Sequence, residues 1–394
     1  MKNIYEDLTT QYRVGYGSGG AFKDAAPDLS ILKNTDDGDW FYAISPDRVN
    51  IFEFFPWQKD MRVLELGAAY GVYAGLSERT AGFDILDDEP SHRELIRYRF
   101  PGSCMTGARL NVISEAEYEG YDAVIVSLLD ECNDALDASA EEYISGKLRY
   151  AASFLKNGGT LLFACDNEKA LKFMTGAEPS EDRLYADKGL IDKIVRELPF
   201  AETRYYYPLP EAAYAKSVFS DKRLPGAGDF RGISESFTES RYVLCREEAM
   251  YGALCEAGAF PEFAPSFMVV MTGCRANGSA SERLPIYAKY NRMRAPQYAL
   301  KTEIFDDNGR KYAVKTALTK EADSHIEDFE KRAALLRLSC TDKLNILRAA
   351  IGRNEQGRSQ ATFEFVRGMD LAKRLSLSIK DGKAPHGDIE AAIG

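Results

Sequence analysis

Metal ligands are scarce in this chain. Three histidines and seven cysteines are spread through 394 residues. No histidine stands at ligand spacing from another histidine or a cysteine, which argues against a zinc site. The cysteines (Cys104, Cys132, Cys165, Cys245, Cys255, Cys274 and Cys340) include no CxxC pair. They read as reduced, packed thiols of a cytoplasmic protein. No run of about 18 apolar residues occurs, so no membrane span is expected. The opening MKNIYEDLTTQYR has no apolar core, so no signal peptide is expected either. Basic residues are outnumbered, 50 Lys+Arg against 61 Asp+Glu. The net charge of −11 argues against nucleic acid as partner. Internal repeats and low-complexity tracts are also lacking.

What is present is an alternation of helix and strand patterns, which predicts a mostly parallel α/β sheet. Residues 1–39 are polar and glycine-broken, an N-terminal extension. Residues 40–273 read as one domain, with a Pro/Gly/Ser-rich insertion at about 208–240. Within it, Ser45 and Pro46 open a helix with Val49, Ile51, Phe52 and Phe55 on its apolar face. Strands are expected at 62–66, 81–86, 121–129, 160–165, 203–207 and 267–271, and helices at 72–79, 92–98, 140–155, 190–198 and 246–257. A small, polar stretch at 273–285 marks a boundary. Residues 274–394 form a small α+β unit: a hairpin turning at Asp307-Asn308-Gly309, a helix capped by Thr319, and a strand at 361–366.

The stretch RVLELGAAYG, residues 62–71, organises the rest. An apolar strand carries an acid, Glu65, and runs through Gly67, Ala68, Ala69 and Gly71 into a helix. Small residues allow a ligand close to the backbone, and the helix start supplies N–H groups. Glycine kept only for tight packing would give the same pattern, and the GxGxxG of dinucleotide enzymes is not satisfied. The surroundings favour a nucleoside: Asp84, in the next strand, offers a carboxylate to two ribose hydroxyls.

VLELGAAYG resembles motif I of the class I S-adenosylmethionine-dependent methyltransferases. Four further blocks, ISPDRVNIFEFFPWQKDMRVLELG, NGGTLLFACDNEKALKFMTGA, RYYYPLPEAAYAKSVFSDKRLP and CEAGAFPEFAPSFMVVM, are similar to a bacterial group of surface-polysaccharide-associated methyltransferases. In that group a region like a protein-kinase N-lobe follows the methyltransferase. The resemblance implies a Rossmann-like doubly wound sheet, mostly parallel with its last strand antiparallel, and S-adenosylmethionine as cofactor. It implies that Glu65 and Gly67 lie near the methionine and ribose, that Gly71 is the later glycine of the motif, and that Asp84 holds the ribose. It puts Asn111 near the adenine, and Leu128 with Asp130 and Glu131 beside the methyl group and acceptor. Two departures stand out. Ala69 replaces the usual middle glycine, and the interval from Gly71 to Asp84 is short, which leaves Asp87 or Asp88 as the alternative ribose acid.

Asp130 and Glu131 are candidate general bases for an acceptor hydroxyl, or a solvated pair that caps a helix. Asp166 and Asn167, after the fifth strand, are candidate substrate contacts or again a cap. Tyr205, Tyr206 and Tyr207 either line a pocket or pack a strand. Tyr312-Ala313-Val314-Lys315 resembles the lysine strand of a kinase N-lobe, with Glu327 or Glu330 as partner, and FEFVRGMDL resembles its hinge. No glycine-rich loop, HRD or DFG accompanies them, so this unit is expected to be a module that docks a protein partner, or a truncated remnant of a longer region, rather than to transfer phosphate. The expected activity is methyl transfer to a small-molecule or glycan-precursor acceptor. The alternative is a non-catalytic binding or scaffold protein on the same fold.

Overall fold

The computed structural model describes residues 45–67, 71–88, 90–100, 110–113, 120–129, 139–180, 183–230, 245–273, 284–292, 294–339 and 346–366, with 368, 374, 375, 378, 379 and 382. The N-terminal extension and residues 231–240 of the expected insertion lie outside them.

The strands in chain order are β1 (Arg62–Leu66), β2 (Gly82–Leu86), β3 (Leu110–Ile113), β4 (Tyr121–Ser127), β5 (Leu155–Asp166), β6 (Glu202–Leu209), β7 (Ser217–Ser220), β8 (Ser266–Thr272), β9 (Tyr287–Tyr290), β10 (Leu300–Asp307), β11 (Arg310–Ala317), β12 (Ala350–Arg353) and β13 (Ser359–Glu364). They join in one sheet of order β12-β13-β11-β10-β9-β7-β6-β8-β5-β4-β1-β2-β3. The five strands β3-β2-β1-β4-β5 are parallel. β8 runs antiparallel between β5 and β6. That is the doubly wound arrangement with an antiparallel last strand. Its order reverses between β1 and β4, and open parallel sheets bind ligands outside the carboxyl ends of the strands at such a point.

Alternation along each central strand explains the two layers of helices. In β4, Val124 and Val126 face one apolar cluster while Ala123 and Ile125 face the other. The first cluster takes in Leu148, Ile191 and Ile194 from the helices Ala140–Ser153 and Lys188–Arg196. The second takes in Ile51, Phe52 and Ile96 from the helices Asn50–Glu53 and Pro90–Arg99. Ser45 accepts from the Asp47 N–H with Pro46 at the first helical position, as its sequence signature requires. Ser139 and Glu142 close a capping box on Ala140–Ser153.

Two helix expectations are revised. The helix expected at 72–79 is a six-residue 3-10 helix, Ala74–Arg79; three glycines and two β-branched residues, Val72 and Thr80, within 67–80 favour no long α-helix there. Past residue 208, β6 runs to Leu209 and returns as β7. The sheet continues beyond residue 273. β9 pairs with β7, and the C-terminal strands extend the sheet in the order β9-β10-β11-β13-β12. The hairpin between β10 and β11 turns at Asn308 (φ 50°) and Gly309 (φ 92°), the left-handed pair that a two-residue turn demands. The single helix expected after Thr319 is two, Asp323–Glu327 and Phe329–Ser339. No helix among the described residues is long and apolar enough to cross a membrane.

Candidate active site at the carboxyl edge of β1, β2 and β4

Strand β1 ends at Leu66, and Gly67 turns the chain with φ of 73° while its N–H donates to the Leu86 carbonyl at 2.9 Å. Gly71 also has positive φ, 67°, and a Cβ there would stand 3.0 Å from Ile96 Cγ1. Both glycines are therefore required by backbone conformation, and Gly71 by space as well. Ala68 and Ala69 lie outside the described residues. Beyond Gly71, the buried Tyr73 places its hydroxyl 3.3 Å from Ser127 Oγ, at the end of β4. This contact ties the turn to the neighbouring strand across the point where strand order reverses.

Glu65 is buried in β1, with Ile85 and Ile125 as its register partners on either side. Leu128, also buried, follows β4 and donates its N–H to Ala164 O at 2.9 Å. Asp130 and Glu131 fall outside the described residues.

Asp84 does not stand at the strand end. It sits two residues earlier, paired in register with Leu64. Its carboxylate accepts from Arg62 Nη2 at 3.0 Å, Tyr121 hydroxyl at 2.6 Å and Asn111 Nδ2 at 2.8 Å. All three donors come from at or near the amino ends of their strands. Asp84 and Asn111 are thus brought together, but onto each other and away from the glycine turn.

Asp87 is the acid at the carboxyl edge of β2. It is 5% exposed, its N–H donates to Ile113 O at 3.2 Å, and its Oδ2 lies 3.1 Å from His92 Nδ1. Its carbonyl accepts from Arg93 Nη1 at 2.7 Å. Leu86, the residue before it, is the one whose carbonyl holds Gly67. From the opposite face Lys147 approaches; burial pulls its ammonium down to about 8, against the opposing pull of Asp87 and Asp88. The sequence marked Asp87 only as an alternative, on the length of the interval. Tyr73, Ser127 and Lys147 carried no signal, because they join the site through tertiary placement.

Asp166 and Asn167 stand at the end of β5. Asn167 is fully buried; its Nδ2 donates to Glu262 O and Ala264 O, at 2.9 and 2.7 Å, and its Oδ1 accepts from Lys169 N at 2.9 Å. Asp166 accepts from Ser266 Oγ at 2.7 Å and lies 3.6 Å from Arg183 Nη1. The three tyrosines pack within β6. Their hydroxyls donate to Asp192, to Pro285 O and to Asp221.

In the C-terminal strands Lys315 does not take the glutamate partners expected of it. Glu327 accepts from Arg353 and from Ser359 Oγ, and Glu330 accepts from Arg337 and the Ala349 N–H. Lys315 instead lines up with Thr302 and Lys289 across three strands. Burial, then Arg294 and Lys289, hold its ammonium below the usual lysine range.

No family model matches this chain, and none of the curated proteins matches it. Solved structures do. Phosphoethanolamine N-methyltransferase 1 of Haemonchus contortus, with phosphoethanolamine and S-adenosylhomocysteine, is 12% identical over 72% of this chain and 51% of its own, with a TM-score of 0.39. This chain therefore spans about half the length of that protein. Magnesium protoporphyrin IX methyltransferase of Synechocystis, with S-adenosylhomocysteine bound, is 12% identical over 69% of this chain and 99% of its own, with a TM-score of 0.38. A SAM-dependent methyltransferase of Archaeoglobus fulgidus is 12% identical over 62% of this chain and 100% of its own, with a TM-score of 0.37.

Proposed function

We propose that the chain is an S-adenosylmethionine-dependent methyltransferase whose cofactor lies across the carboxyl edge of β1, β2 and β4. One observation carries the reading: a turn with two left-handed glycines, Gly67 and Gly71, leaves β1 where the strand order reverses. Ligands of open parallel sheets bind outside the carboxyl ends of the strands at such a point. The residues present suit a nucleoside. Gly67 and Gly71 let the backbone approach it, and Asp87 offers a buried carboxylate to the ribose hydroxyls, with His92 and Lys147 orienting it. Glu65 forms the floor, and Leu128 covers the adjacent edge. Asp84, engaged by three donors, fixes the lower half of the sheet instead.

Bound there, S-adenosylmethionine would supply an activated methyl group to an oxygen or nitrogen nucleophile. The chain's contribution is to hold acceptor and methyl in line in a dry pocket, an effect of proximity that reaches about 7–11 kcal/mol in favourable cases. Asp130 and Glu131, which follow Leu129, are the groups to take the acceptor's proton. Asp166 borders the same edge. The acceptor class we infer is a small molecule or glycan precursor, in keeping with the acidic chain and the resemblance of its sequence blocks.

A second reading, a cofactor-binding scaffold without turnover, is favoured by one feature: a 3-10 helix of six residues replaces the helix after the turn, which gives few aligned N–H groups. Calorimetric titration of the full chain with S-adenosylhomocysteine tests the shared premise. Saturable binding is expected, and none at millimolar ligand contradicts both readings. Transfer of labelled methyl to a glycan-precursor pool then separates them.

A further inference from the structure

Glu53 is a buried acid, 3% exposed, where three parts of the chain meet. One oxygen accepts from Arg79 Nη1 at 2.7 Å, at the end of the 3-10 helix that follows the glycine turn. The other lies 3.1 Å from Arg292 Nη2, in the connection from β9 to β10. Arg292 Nε also donates to Asn50 Oδ1 at 2.7 Å. Lys301 on β10 places its Nζ 3.5 Å from the Glu53 carbonyl and 3.0 Å from the Glu303 carboxylate. Burial works to raise the Glu53 carboxyl, and Arg79, Arg292 and Lys301 together outweigh it and hold it below the ordinary carboxylate range.

The helix Asn50–Glu53 therefore grips the segment after the turn at both ends. Phe52 meets Tyr73 edge to face at 4.8 Å, next to Gly71, and Glu53 holds Arg79. On its other side the same helix is held by the C-terminal strands. Buried charges are stable only as a completed set, because removal of one member leaves another unpaired in a medium of low dielectric. Arg79 and Arg292 share the Glu53 carboxylate.

We propose that Arg292 is a positioning residue for the cofactor: through Glu53 and Arg79, the C-terminal strands hold residues 71–79 in the conformation that lines the nucleoside pocket. The inference rests on the methyl-donor reading of that edge. It gives the C-terminal unit a role in the site that does not require chemistry of its own.

The test uses the full chain with Arg292→Lys, which keeps the charge but loses the planar fork that bridges Asn50 and Glu53. Arg353→Met is the control; Arg353 belongs to the same strands but pairs at the surface with Glu327. Two quantities are read, affinity for S-adenosylhomocysteine and hydrogen exchange of backbone amides at 71–80 against those of β4. Arg292→Lys is expected to weaken binding at least about fivefold, within the usual range of coupling between sites. It is also expected to speed exchange at 71–80 alone, while Arg353→Met changes neither. Wild-type values in both readouts for Arg292→Lys overturn the proposal, as does equal acceleration in β4, which would mean general loosening. If the wild type binds no S-adenosylhomocysteine, the methyl-donor reading fails, and with it the cofactor role of Arg292. The exchange data then still decide whether Arg292 holds the 71–79 segment.

Discussion

Gly71 shows how much a single residue is asked to do at this edge. Its φ of 67° disfavours any side chain, and the nearest atom to an added Cβ is Ile96 Cγ1 at 3.0 Å. Gly71→Ala is expected to cost about 1–3 kcal/mol, from left-handed strain and overpacking together, as read by denaturant unfolding. Affinity for S-adenosylhomocysteine should fall with it; unchanged stability would show that the turn relaxes freely. Lys147 gives a second residue-scale prediction. Its folded pKa, about 8, lies below the unfolded value of about 10.4. The unfolded chain therefore binds more protons between those values, and the lysine's contribution to stability rises with pH across that window. The stability of wild type minus that of Lys147→Met should climb between pH 8 and 10, and a flat difference would contradict the placement of Lys147.

Among elements, the short helix Asn50–Glu53 joins the segment after the glycine turn to the connection between β9 and β10. Glu53→Gln leaves two arginines without their carboxylate in a buried setting, and is expected to cost about 3–5 kcal/mol. Sign follows from the depressed pKa: the carboxylate's contribution is full above its unfolded value, about 4.3, and fades as pH falls below it. The gap between wild type and Glu53→Gln should therefore narrow on acidification, by thermal unfolding at a series of pH values. The sequence made the apolar side of this helix legible through Ile51 and Phe52, and of the chain just beyond it through Phe55. It gave no warning of Glu53, because the partners Arg79 and Arg292 are distant along the chain. The same contrast runs through the site. Strand β1 and the glycine turn were legible in local pattern. Asp84 was not legible in the same way, since a carboxylate in a strand looks alike whether its neighbours are a ligand or donors from adjacent strands.

For the molecule as a whole, one sheet runs on continuously into the C-terminal strands. Composition suggested a linker at 273–285 and a separate small unit beyond it. Pairing between β7 and β9 is invisible to composition, because it depends on a sheet edge that exists only once β6 and β7 have folded. A chain ended at residue 273 would bare the β7 edge and leave Glu53 without Arg292. Such truncation is expected to give an aggregating or weakly cooperative protein, as unpaired strand edges do. A truncated chain that melts at the wild-type temperature would argue for an independent unit. The placement of the cofactor is the claim on which the rest depends, and side-by-side titration of Asp87→Ala and Asp84→Ala with S-adenosylhomocysteine tests it most directly. Loss of hydrogen bonds to a charged group, about 1.5–3 kcal/mol, predicts about 10- to 150-fold weaker binding for Asp87→Ala and near wild-type affinity for Asp84→Ala; weak binding by Asp84→Ala with Asp87→Ala unaffected would contradict the account.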